Sequence, residues 1–349
     1  MSEPYAGRQI VGIDLHRRRS VLVRMTEAGE RLETIRISND PDYLREVMTR
    51  AGEAPEVVLE ACYGWYWAAD TLAELGATVH LAHPLGVKMF SYRRLKNDER
   101  DAADLADLLR MGRLPEAWIA PPATRELRGW VRHRAKLVGL RSNLKCQVHG
   151  ILANAGITVP MSDLFGASGQ RLLATADLAT ESRSRIDSLQ RMITALDFEV
   201  ELVAKLVAGR LRPHPGYQAI QQIPGVGPIL AAVFVAEIGD ITRFRRPEQL
   251  ASWAGLTPKH HESDTTVHRG RITKQGSRLV RWAAIEAVQR LPGHTRIGQV
   301  RDRVAARRGR NIGVVAAARE LTELVFYGLR DHRVHALAVH SPARTPLLA

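Results

Sequence analysis

Short apolar runs separated by polar turns fill the first eighty residues, and long stretches with apolar residues at helical spacing fill much of the remainder. Residues 9–15 (QIVGIDL) end on Asp14, and 20–25 (SVLVRM) and 31–38 follow across hairpin-length turns, which predicts an antiparallel meander of three strands. Pro41 opens a predicted helix to Ala51 with Asn39 or Asp40 as its cap. A fourth run, EVVLE, ends on a carboxylate as the first does, here Glu60. A helix from Gly64 to Leu75 and a strand from Thr78 to Leu81 complete a mixed α/β sheet. Within that helix, Trp65, Tyr66 and Trp67 must face different directions, so one is expected outside and two inside.

After the basic run Arg93–Lys96, NDERDAADLADLLRMG predicts a helix with Leu105, Leu108 and Leu109 on its apolar side. Its acidic side carries Asp98, Asp101, Asp104 and Asp107, and Gly112 stops it. From Pro121 the pattern becomes long and helical. Leu127, Trp130, Val131, Leu137, Leu140, Leu144 and Val148 mark one helix, and Ile186, Leu189, Ile193, Leu196, Val200 and Val203 another, as expected of an antiparallel and possibly coiled pair. Beyond Pro213 a compact helical unit is expected. Its segment IPGVGPILAAVFVA places Gly225 and Gly227 in a tight turn before a helix, in the manner of a helix-hairpin-helix element whose backbone N–H groups can hold a phosphate. An ordinary Gly-Pro turn capping a core helix fits the same residues. The expected divisions are 1–118, 119–212, 213–340 and a disordered tail at 341–349.

Composition sharpens this picture in one direction. Fifty Lys plus Arg against 37 Asp plus Glu give a formal net charge of +13 and a pI near 10.3, which calls for a polyanionic partner, nucleic acid first. The window Ile241–Arg310 holds 16 Lys plus Arg and 5 Asp plus Glu, so the polyanion is expected to meet the C-terminal half. No apolar run approaches the roughly 18 residues of a membrane span, and the N-terminus lacks an apolar signal core, which excludes a membrane partner and points to the cytoplasm. Two cysteines, Cys62 and Cys146, are too few for a disulfide framework or a zinc cluster. Any metal must be held by oxygen.

Two groups of residues can carry chemistry. Asp14 and Glu60 end neighbouring predicted strands, and Asp98 and Asp101 share one helix face. Together they can hold one or two Mg²⁺ ions, whose hard-oxygen preference and open positions suit phosphate and water. Asp104 and Asp107 continue the same spacing, so spacing alone does not single out Asp98 and Asp101. The second group is Gly255–Gly276, rich in Gly and Thr, which reads as a functional loop. It holds Ser263 ahead of Arg269, Arg271, Lys274, Arg278 and Arg281. A serine facing cations can attack phosphorus or merely contact phosphate, and composition alone favours the contact. The histidines His260, His261 and His268 can serve as a base or be ordinary loop residues. The run Arg301–Arg310 can be a phosphate-binding face or a solvated helix edge, and the local excess of charge favours the former.

In combination these residues resemble the DEDD-type insertion-sequence transposases that act as serine-dependent, bridge-RNA-guided recombinases. The blocks GIDLH, VVLEACYGW and KNDERDAADLADLL are similar to the acidic positions of that family's RNase H-like, resolvase-like domain. The blocks IPGVGPILAAVFVAEIGDITRF, LASWAGLTPKHHES and GRITKQGSRLVRW are similar to its C-terminal transposase domain. The resemblance implies Asp14, Glu60, Asp98 and Asp101 as catalytic, Mg²⁺-binding acids and Ser263 as the nucleophile that becomes linked to DNA. The turn at Gly225 and Gly227 and the cations Arg269, Arg271, Lys274 and Arg278 are expected to contact nucleic acid, and the resemblance implies donor and target DNA and a structured guide RNA as partners, and a homo-oligomer, dimer or tetramer, assembled through the helical middle. Members commonly show Ser-Ser-Gly where this chain has Glu262, Ser263 and Asp264, so the flanks of the serine are more acidic here. A metal-only junction-resolving nuclease and a non-catalytic nucleic-acid-binding copy are the alternatives.

Overall fold

A computed structural model describes residues 5, 7–90, 97–264 and 266–337, and the chain divides into two compact units, Met1–Ala120 and Pro121–Ala349. The basic run Arg93–Lys96 and the tail 341–349 lie outside the described residues.

The first unit is a six-stranded mixed sheet in the order β3-β2-β1-β4-β5-β6. The strands are β1 (Gln9–Leu15), β2 (Arg19–Thr26), β3 (Arg31–Ser38), β4 (Glu56–Glu60), β5 (Thr78–Ala82) and β6 (Glu116–Ala117). As the hairpin-length turns predict, β1, β2 and β3 form an antiparallel meander, while β4 and β5 add in parallel beside β1. The helices are α1 (Pro41–Met48), α2 (Trp65–Glu74), α3 (Pro84–Val87) and α4 (Asp98–Arg110). Asp40 caps α1 by accepting from the Tyr43 amide at 2.9 Å, with Pro41 in the first turn.

Strand alternation gives β1 two buried faces. Val11, Ile13 and Leu15 pack with Leu44 and Val47 of α1 and Ala68 and Leu72 of α2. On the other face lie Ile10, which packs on Ala106 of α4, and then Gly12 and Asp14. The small residues Ala102, Ala103 and Ala106 let α4 settle close to the sheet. At Gly12 the approach is so tight that a Cβ would stand 1.9 Å from the Ala102 carbonyl oxygen. Gly12→Ala is therefore expected to cost about 3 kcal/mol or more through overpacking, read as a lower denaturation midpoint in urea with an unchanged slope. Trp65 and Trp67 pack against the α1–α2 side of the core and Tyr66 is exposed, the division expected from their adjacency.

The second unit is mainly helical. Its elements are α5 (Pro122–Asn154), α6 (Ala167–Thr175), α7 (Thr180–Leu211), α8 (Pro215–Ile220), α9 (Pro228–Ile238), α10 (Pro247–Trp253), strands β7 (Pro258–Ser263) and β8 (Thr266–Ile272), then α11 (Arg278–Gln289), α12 (Arg296–Arg308) and α13 (Arg310–Asp331). Helices α5 and α7 pack together as the long pair. At one end Leu127, Val131, Val203, Val207 and Leu211 join the main core. At the other, Val148, Ile151, Leu152, Ile186, Leu189 and Ile193 close over Leu164 and Leu173. Trp130 and Leu140 continue the apolar pattern of α5 yet are exposed, as are Phe198, Leu202 and Leu206 of α7.

Helix α9 is the pivot of the main core, with every residue from Ala231 to Ile238 buried. Burial all round explains its unbroken apolar run. The one charged residue in it, Glu237, accepts from the Arg132 guanidinium at 2.7 and 3.0 Å and from the Ser277 hydroxyl at 3.0 Å. Three helices, α5, α9 and α11, are thereby tied at one carboxylate. Among the described residues no helix is long and apolar enough to cross a membrane.

Candidate active site

The parallel register of β1 and β4 pairs Ile13 with Leu59, so Asp14 and Glu60 are the next residues on each strand, at the same edge of the sheet. Both lie on the face that α4 covers, where Val58 packs on Leu105. Helix α4 begins at that edge. Asn97 caps it by accepting from the Glu99 amide at 3.0 Å, and Asp98, Glu99 and Asp101 occupy the first turn, where carboxylates are favoured by the helix dipole.

Asp98 and Asp14 meet across a third group that the spacing of acids did not reveal. His16, two residues beyond Asp14 and so on the same side of the chain, places Nε2 at 3.1 Å from Asp14 Oδ2 and 3.3 Å from Asp98 Oδ1. The three ligand atoms all lie within 4.8 Å of one another. The turn carrying His16 is held from β3, since Asn39 Nδ2 donates to the His16 carbonyl at 2.6 Å and the Ser20 hydroxyl donates to Asn39 Oδ1 at 2.7 Å.

Cys62 reports on the same neighbourhood. Its thiol donates to the Leu15 carbonyl at 3.3 Å. Burial pushes its pKa up, and the negative charges of Glu60 and then Asp14 add to the rise, which places both carboxylates near it. Asp101 is half-buried one turn beyond Asp98, whereas Asp104 is exposed and Asp107 pairs with Arg110 at 2.6 Å. Of the four acids on α4, Asp98 is brought to Asp14 and His16. Two buried or half-buried carboxylates a few ångströms apart repel one another, and a divalent cation relieves that repulsion. The donor set of hard oxygens with one imidazole fits such an ion.

In the second unit, Gly255–Gly276 is not an irregular loop: β7 and β8 pair as an antiparallel hairpin, with Ser263 opposite Thr266 at its turn. The strands escaped the hydrophobic pattern because the residues described on them are largely exposed, leaving no polar–apolar alternation to read. Ser263 is exposed, and Asp264 takes the left-handed conformation at φ +52°, which Asp tolerates. Adjacent strand residues point to opposite faces, so Glu262 turns away from Ser263, and its carboxylate lies 3.4 Å from His260 Nε2.

The hairpin is fastened at its root. Gly255 and Gly276 have φ of +70° and +67°, and a Cβ on Gly276 would meet the Trp253 carbonyl oxygen at 1.8 Å. Arg281, grouped with the phosphate-facing cations on sequence, is instead 9% exposed and donates to the carbonyls of Ala254 at 2.9 Å, Gly276 at 3.3 Å and Gln275. Burial, with Arg278 adding to it, lowers its pKa. Arg271, Lys274 and Arg278 are exposed around this root, and Arg269 belongs to β8. In the run Arg301–Arg310, Arg301 turns back to Asp302 and the Val288 carbonyl, and Arg303, Arg307, Arg308 and Arg310 remain exposed.

Gly225 and Gly227 prove to differ in kind. Gly225 has φ +87° and a Cβ there would stand 2.2 Å from the Ala287 carbonyl oxygen of α11, so its smallness serves packing. Gly227 caps α9 with φ −78° and open space around it, which leaves the helix N-terminus accessible. Gly225→Ala is expected to destabilise by about 3 kcal/mol, whereas Gly227→Ala should stay within about 0.5 kcal/mol, as urea denaturation of the two variants will show.

Residues 11–157 match a family model described as Transposase, for DEDD transposases of the IS110 type, and residues 217–304 match one described as Transposase IS116/IS110/IS902 family. The Coxiella burnetii transposase for insertion sequence element IS1111A is 27% identical over 303 residues, covering 82% of this chain and 79% of that protein. A probable family 20 transposase of Pseudomonas aeruginosa is 27% identical over 243 residues, 67% and 70% of the two chains. The Streptomyces clavuligerus insertion element IS116 44.8 kDa protein is 24% identical with coverage of 93% and 95%. Among solved structures, T. thermophilus RuvC in complex with Holliday junction substrate overlaps 32% of this chain and 99% of that one at 16% identity, with a TM-score of 0.25.

Proposed function

The chain belongs to the IS110/IS116/IS902 family of transposases, phosphoryl-transfer enzymes of DNA transposition with a DEDD nuclease domain, and from that premise we propose that it cuts and rejoins DNA through a covalent phosphoserine at Ser263. Asp14, Glu60, Asp98 and Asp101 serve as the acids that hold Mg²⁺. The observation that carries the metal half is the convergence of Asp14, Asp98 and His16 within 4.8 Å at a sheet edge shared with Glu60. The serine half rests on Ser263 standing exposed at a hairpin turn whose root is ringed by Arg271, Lys274 and Arg278.

In the step proposed, the Ser263 hydroxyl oxygen bonds to phosphorus while the bond from phosphorus to the departing sugar oxygen breaks. The serine proton leaves with the general base, and the sugar oxygen takes one up. The reverse reaction with a new sugar hydroxyl rejoins the strand without an external energy source. The exposed cations Arg271, Lys274 and Arg278 at the hairpin root are proposed to hold the nucleic-acid backbone. Bound Mg²⁺ would neutralise phosphate charge and orient the attacking and leaving oxygens. His260 and Glu262, 3.4 Å apart on the opposite face of β7, are proposed to receive the serine proton through solvent at the exposed turn.

A structured guide RNA is proposed to supply sequence recognition, the protein contributing backbone contacts through its +13 charge and through Arg269, Arg271, Lys274, Arg278 and the open α9 terminus at Gly227. A homo-oligomer is proposed on the exposed side chains Phe198, Leu202 and Leu206, which recur every four residues along α7.

The decisive experiment incubates the chain with Mg²⁺, labelled element DNA and RNA transcribed from the element's flanks. A detergent-resistant adduct is expected, with label on the Ser263 peptide by mass spectrometry, and excess EDTA should reduce it to background. Free cut ends without an adduct would instead establish the metal-only nuclease, and absence of cleavage the non-catalytic copy.

A further inference from the structure

His16 lies outside the four acids assigned to the metal, yet its geometry is that of a ligand. In an octahedral site with metal–ligand distances of about 2.1 Å, neighbouring ligand atoms stand about 3.0 Å apart. His16 Nε2 stands 3.1 Å from Asp14 Oδ2 and 3.3 Å from Asp98 Oδ1, close to the edges of such an octahedron. A histidine recruited simply to pair with either carboxylate would align an N–H on one of them at about 2.8 Å. Here Nε2 is buried and makes no hydrogen bond among the described residues, although two carboxylate oxygens are in reach. The backbone around it is also fixed: Asn39 anchors the His16 carbonyl and accepts from Ser20, and the Asn39 amide donates to the Arg18 carbonyl at 3.0 Å. On this fixed turn the ring presents one nitrogen to two carboxylates at once.

We infer that His16 Nε2 is an inner-sphere ligand of the divalent ion, which makes the centre a mixed nitrogen–oxygen site. The inference rests on the metal-binding reading of Asp14 and Asp98 proposed above. It carries a selectivity: imidazole coordinates Mg²⁺ reluctantly and later first-row ions more readily, so Mn²⁺ is expected to bind more tightly than Mg²⁺. Removing the imidazole narrows the gap between the two ions while leaving the carboxylates in place.

The test titrates Mn²⁺ into the full chain, without nucleic acid, and follows it by electron paramagnetic resonance. Bound Mn²⁺ should show spin-echo modulation from a directly coordinated nitrogen, and His16→Ala should remove that modulation and weaken Mn²⁺ binding about tenfold, with Mg²⁺ competition affected less. His16→Gln, which retains a polar side chain, is the second variant and should likewise lose the nitrogen signal. Mn²⁺ bound to the wild-type chain without nitrogen modulation, or modulation that persists in both variants, overturns the role of His16 and leaves the carboxylate centre standing. Failure of the wild-type chain to bind Mn²⁺, or Mn²⁺ binding that Asp14→Asn leaves unaffected, overturns the centre itself. Because the wild-type spectrum decides alone, poor folding of a variant does not blunt the result.

Discussion

Ser263→Ala is expected to abolish the covalent protein–DNA intermediate and to lower strand exchange by roughly 10⁴-fold or more, the scale on which loss of a nucleophile acts in covalent catalysis. The variant should retain its fold and its affinity for nucleic acid. Ser263 is exposed at a turn and makes no contact in the core, and the cations near it are unchanged. The measurement is a single-turnover assay of adduct and product beside a filter-binding titration. An adduct that survives in this variant rejects Ser263 as the nucleophile. Cleavage that survives without an adduct transfers the attack to water and leaves the acids as the whole active site.

Asp14→Asn is expected to cut metal-dependent cleavage by a factor on the order of 10³, since it removes a charged ligand while keeping the shape of the side chain. The amide still fits where Asp14 sits, 9% exposed on the α4 face of β1, so circular dichroism should show an unchanged fold. Mn²⁺ should restore only part of the activity. If the Asn variant cuts as the wild type does, the acid cluster is not the catalytic centre. Asp107→Asn is the control: its carboxylate is occupied by Arg110 and its loss should leave the rate within about twofold.

The sheet was legible because each strand announces itself as a short apolar run between polar turns, and the order of meander followed by alternating helix and strand fixes which ends lie together. The sequence pattern alone therefore puts Asp14 and Glu60 at one edge. The helix carrying Asp98 was equally plain, yet four evenly spaced acids look alike until Asp98 is seen to meet Asp14 and His16. His16 was hidden in a run of cations, His16 to Arg19, where composition suggests a solvated turn. Only its position two residues past a strand-end carboxylate signals otherwise. The hairpin around Ser263 was illegible for the opposite reason: it buries too little to leave a hydrophobic rhythm. Arg281 could not be told from its exposed neighbours, because the signal that separates it, a set of carbonyls from the hairpin root, comes from residues folded back onto it.

A two-stranded ribbon is at best marginally stable alone, so the ordering of this one comes from where it is attached. The attachment is stiff: two glycines pressed against backbone, Arg281 gripping three carbonyls, and Ser277 tied through Glu237 to α9 and α5. From Pro258 to Ser263 the extended chain covers roughly 17 Å. The ribbon is then an arm fixed at its base, and the serine rides at its tip. The proposed nucleophile Ser263 is thereby carried clear of the helices that anchor its strand.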